Sequence, residues 1–139
     1  MDSAWLSRWQ PQLLALLRIV TALLFIEHAT VKFFAFPTAF PMPGPLPPLL
    51  LAAGAIELIA GGLVLIGLWT RLAAFIAAGE MAVAYWMMHG ANNFWPIANG
   101  GEGAILFCFI FLYIAAAGPG AWSVEGTRMQ SRMGEVERT

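Results

Sequence analysis

Four long apolar stretches dominate this chain, and each is close to the length needed to cross a bilayer. A spanning helix needs ~20 mostly apolar residues, within a range of roughly 17–25. The stretches run over about 13–36, 49–68, 72–89 and 100–117. Lipid offers no partner for a bare peptide group, so such segments must be helices that satisfy their own backbone. No ten-residue alternating pattern points to a β-barrel. The expected fold is all-α, a transmembrane four-helix bundle formed by a single membrane domain over residues 1–139.

Composition agrees. Of the 139 residues, 60% are hydrophobic and 11% charged, against about 45–50% and ~25% in a soluble domain. This excludes a disordered chain and an ordinary soluble enzyme. A net charge of −1 gives no electrostatic hook for nucleic acid. The single Cys108 excludes an intrachain disulfide, a Cys-x-x-Cys redox pair and a thiolate metal cage.

The connections set the arrangement. Leu68 to Arg71 allows only a tight turn between antiparallel neighbours. Pro37–Pro48 holds six prolines and cannot be helical, so it forms an extended cap. Gly90–Asn99 forms a second cap, and Gly118-Pro119-Gly120 stops the last helix. Residues 118–139 read as a polar cytoplasmic tail, frayed after Ser123. Arg8, Arg71, Arg128, Arg132 and Arg138 fall in the N-terminal segment, the short turn and the tail, while both caps are uncharged. The positive-inside rule therefore places both termini in the cytoplasm. The N-terminus does not read as a cleavable signal peptide, because its apolar stretch is too long and lacks a small-residue cleavage site.

Six charged residues lie within the spans: Arg18, Glu27, Lys32, Glu57, Glu80 and Glu102. A charge near the bilayer centre costs at least ~2.5–3.5 kcal/mol on the insertion scale, so such residues face the bundle interior and pair. They could merely fix helix register. Four carboxylates for two cations favour function. By depth, His28, Lys32, Glu57, His89, Asn99 and Glu102 belong to the half of the bundle under the caps, with Glu80 near mid-membrane. These seven are expected to form one ligand-binding or proton-relay pocket, with Arg18, Glu27, Tyr85 and Trp86 behind it. Lys32 is the natural partner of Glu57 or Glu102, and His28 is expected to bridge toward Glu80. No Glu is followed by His at i+3, which argues against a carboxylate-bridged metal site. Haem held by His28 and His89 is weighed no higher. Which residues would be catalytic stays open, as does whether the chain is an enzyme at all.

These motifs resemble the DoxX family of small four-helix membrane proteins. The resemblance rests on Leu17-Arg18, on His28-Ala29-Thr30-Val31-Lys32-Phe33-Phe34-Ala35-Phe36-Pro37, and on Ile56-Glu57 with Gly61-Gly62 and Thr70-Arg71-Leu72. It continues through Glu80-Met81-Ala82-Val83-Ala84-Tyr85 with His89, then Asn99-Gly100-Gly101-Glu102, and covers residues 13–125. Ala29 and Ala35 stand where the family usually has Gly, and Glu125 where Asp is common. The resemblance implies a multi-pass protein of the bacterial inner membrane. It implies a subunit or partner of a quinone-linked oxidoreductase, similar to the small subunit of thiosulfate:quinone oxidoreductase. The cofactor expectation is none in the chain itself, with quinone as the bound ligand. The expected partners are membrane lipid, a redox protein and further copies of the chain. The alternatives are a proton-coupled small-solute permease and a scaffold that recruits a soluble oxidoreductase.

Overall fold

The computed structural model describes residues 4–136. Among these, all regular structure is helical and no strand forms. The order is α1 (Ala4–Ser7), α2 (Gln10–Phe34), α3 (Pro48–Ile66), α4 (Thr70–Ala84) with a π-helical continuation (Tyr85–Gly90), α5 (Pro96–Asn99), α6 (Glu102–Ala117) and α7 (Val124–Val136). Arg138 and the extreme ends of the tail lie outside the described residues.

Among the described residues, three helices are long and apolar enough to cross a membrane: Gln10–Phe34, Pro48–Ile66 and Thr70–Gly90. Helix α6 has 16 residues, or about 24 Å at 1.5 Å per residue, which is short of a ~30 Å hydrocarbon core. It starts at Glu102 rather than at Gly100, which takes a left-handed φ of 71° and ends α5.

The boundaries have local causes. The proline run stays non-helical until Pro48, which occupies the first position of α3, where a missing N–H does no harm. Gly67, at φ 69°, ends α3; its N–H donates to the Val64 carbonyl and that of Leu68 to Leu63. The expected frayed tail is instead helical from Val124. Ser123 initiates α7, its Oγ accepting the Gly126 N–H at 3.1 Å.

Helix α2 packs on α3, α3 on α4, and α4 on α6. The buried core is built mainly from small residues: Ala22, Ala60, Ala73, Ala74, Ala77 and Ala78. Phe25 fills its centre, with the Phe111 ring at 4.8 Å. Large apolar side chains point outward instead, among them Leu23, Ile59, Phe75, Val83 and Phe109. Small inside and large outside is the pattern of helices that approach closely in lipid. Exposed tryptophans mark both ends. Trp9, Trp69 and Trp122 stand at the end bearing the chain termini, and Trp86 and Trp95 at the cap end.

Candidate functional site

Helices α3 and α4 are joined by the tight turn, with a gap between them toward the cap end. The gap holds a cavity of about 640 Å³, closed behind by α2 and α6. His28, Lys32, Glu57, Glu80 and His89 all line it, so five of the seven expected residues come together. Its other walls are apolar, including Ile56, Met81, Met87, Met88 and Phe107. Exposed Leu49, Val83 and Met87 on the rim open it sideways.

Glu57 is at the midpoint of α3, and Glu80 at the midpoint of Thr70–Gly90. The Lys32 Nζ donates to both Glu57 oxygens, at 2.5 and 2.6 Å. Both side chains are almost wholly buried, 8% and 3% exposed. Gly54 makes the approach possible, since a Cβ there would fall 2.7 Å from the Phe33 ring and 3.3 Å from Lys32 Cδ. Glu80 has no such partner: both its carboxyl oxygens are buried without a hydrogen bond. His28 is on the cavity wall with its ring edge-on to Phe107 at 5.7 Å. The expected bridge from His28 to Glu80 does not form; the oxygens of Glu80 stay free.

The π-helical turn places His89. Extra residues per turn swing it inward, a device common at functional sites. Its Nδ1 lies 2.9 Å from the Asn99 carbonyl. A carbonyl only accepts, so Nδ1 carries a proton and Nε2 is the ring nitrogen left to face a ligand. Asn99 is a clip rather than a cavity residue. Its Nδ2 donates to the Asn93 carbonyl at 2.8 Å and to Tyr85 Oη at 3.3 Å, and its Oδ1 accepts the Gly101 N–H at 2.7 Å. Tyr85 stacks behind His89, ring centres 6.5 Å apart. Glu102 opens α6 with an exposed side chain, off the cavity wall. Lys32 therefore pairs with Glu57, not Glu102.

Arg18, Glu27 and Trp86 do not back the cavity. Trp86 is exposed and packs edge-on to Tyr85 at 5.2 Å. Glu27 is exposed on α2. Arg18 lies at the opposite end, fully buried, where it closes helix ends. Its Nη1 donates to the carbonyls of Val64 and Leu65 at 2.8 and 2.7 Å, and Nη2 to those of Trp122 and Ala121 at 2.9 and 3.4 Å. Arg71 does the same for α6, donating to the carbonyls of Ala115, Ala116 and Ala117. Glu125 accepts the Thr70 N–H at 3.0 Å, at the N-terminus of α4. Sequence reasoning missed these roles. Ser123 followed by Gly126 offered a capping signal for α7, but the carbonyl targets of the arginines leave no trace in a sequence.

An all-helical bundle with a small-residue core, an apolar exterior and a charged cavity at mid-depth defines an integral membrane protein. The sequence profile of the DoxX family matches residues 13–90. A protein of Haemophilus influenzae, described as an uncharacterized protein, is 46% identical over 125 residues, covering 86% of this chain and 93% of that one. The chain belongs to the DoxX family. No solved structure matches it.

Proposed function

We propose that the protein crosses the bacterial inner membrane four times, both ends cytoplasmic, and serves a quinone-linked oxidoreductase as a subunit or partner whose cavity receives the quinone ring. Arg8, Arg71, Arg128 and Arg132 at one end and the uncharged caps at the other support this orientation. An exposed Glu27 on a lipid-facing helix favours a second copy of the chain against that face.

One observation carries the functional reading. A carboxyl without an internal partner, Glu80, stands beside a neutralised Lys32–Glu57 pair, in an apolar cavity open sideways to lipid. A buried polar group left unmade is costly by about 1–3 kcal/mol, and a ligand bearing an O–H or a carbonyl relieves it. Quinone reduction takes up two protons with two electrons. Glu80, His28 and His89 are the groups able to pass protons to the ring oxygens. A partner redox protein supplies the electrons.

The test is a titration of the protein in nanodiscs with a decyl-tailed para-benzoquinone. Saturable binding is expected, weakened by about tenfold in Glu80→Ala, the equivalent of ~1.4 kcal/mol. Absence of saturable binding to the wild type rejects the reading.

A further inference from the structure

A second hollow, of about 250 Å³, lies in the seam between α3 and α4. Its walls include Ile56, Ile59 and Leu63 on α3 and Leu72 and Ile76 on α4, with Trp69 at the end next to the tight turn. No charged side chain lines it. It shares Ile56 and Ile76 with the cavity, so the two hollows adjoin at these side chains. From Ile56 to Leu63 the seam runs about 10 Å along the helix axis, at 1.5 Å per residue.

The polarity along this path is one-sided. The end with Lys32, Glu57, Glu80 and His89 is polar, and the seam beyond mid-depth is apolar down to the tryptophan. The spacing of the wall residues explains why a hollow forms there. Ala55, Ile59 and Leu63 form one i,i+4 row on α3, while Ala60 and Ala73 are too small to fill the space between the rows. A path of this form fits an amphiphile with one polar ring and one flexible chain.

Resting on the quinone reading above, we propose that the α3–α4 seam is the subsite for the ligand's hydrocarbon tail, directed from the cavity toward Trp69. The ring then lies among the polar groups at mid-depth. The tail runs along the seam and packs against its apolar walls in place of lipid.

A decyl-tailed para-benzoquinone carrying a diazirine at the end of its tail tests this in nanodiscs of the wild-type protein. Photolysis is expected to label Leu63, Trp69 or Leu72, and a saturating excess of tail-less ring should suppress that labelling about tenfold. Suppressible labelling on the outer faces of α2 or α6 overturns the tail subsite and leaves the ring site standing. Seam labelling that the ring does not suppress marks an ordinary lipid-covered surface and overturns the proposal. If the ring suppresses labelling nowhere, the quinone reading fails with it.

Discussion

Lys32 Nζ lies almost equally far from the two oxygens of Glu57, 2.5 and 2.6 Å. The ammonium is thus committed to one carboxylate, and Glu80, on the same cavity, is left to other partners. A buried pair of this kind adds little net stability, but breaking it leaves one charge stranded.

Lys32→Met should therefore destabilise the protein by about 3–5 kcal/mol, whereas Lys32→Met with Glu57→Met should regain most of that loss. Thermal unfolding in detergent micelles measures both. A double variant as unstable as the single one would show that the pair is not the source of the effect.

Glu80 should be the carboxyl that reacts with a hydrophobic carbodiimide entering from lipid. Such reagents need a carboxyl that is free of a cationic partner, and both oxygens of Glu57 are occupied by Lys32. Peptide mass mapping should find the adduct on Glu80 in preference to Glu57, with tailed benzoquinone protecting it. Preferential modification of Glu57 would contradict the assignment.

Gly101→Ala should disturb His89 from a distance. The added Cβ would fall 2.6 Å from Tyr85 Cε2 and 2.7 Å from Asn99 Oδ1, inside the clip that holds the histidine. A loss of about 1–3 kcal/mol is expected from overpacking, together with weaker quinone binding. Stability and binding both equal to wild type would mean that the clip does not position His89.

Arg18→Gln should loosen the opposite end and spare the cavity. Hydrogen bonds to a charged donor are worth about 1.5–3 kcal/mol each, and this guanidinium serves four carbonyls on α3 and in the turn before α7. Limited proteolysis should cut the α7 region far faster, with quinone affinity unchanged. Unaltered proteolysis would remove Arg18 from that role.

The sequence made the cavity legible wherever a charge interrupted an apolar helix, since lipid leaves such a residue no neutral explanation. Lys32 and Glu57 were found that way; His28 and Lys32, four residues apart, line the same cavity, and Tyr85 and His89, also four apart, stack on each other. The same rule misled at Arg18, because a buried cation can serve backbone carbonyls as well as a ligand. Glu102 was expected on the cavity wall and is exposed instead. A helical wheel gives the angle between side chains but not which neighbour covers each angle, and α6 turns this carboxylate outward. The π-helical turn was invisible because its register shift depends on how Tyr85, His89 and Asn99 pack together, not on any local residue preference.

The most direct test of the central claim is the quinone content of the protein purified from its own membranes under mild conditions, referred to phospholipid. Enrichment well above the membrane ratio is expected for the wild type. It should be lost in a Lys32→Met, Glu57→Met, Glu80→Gln triple variant that remains folded. Quinone at the bulk membrane ratio in the wild type, or equal enrichment in the triple variant, would contradict the account.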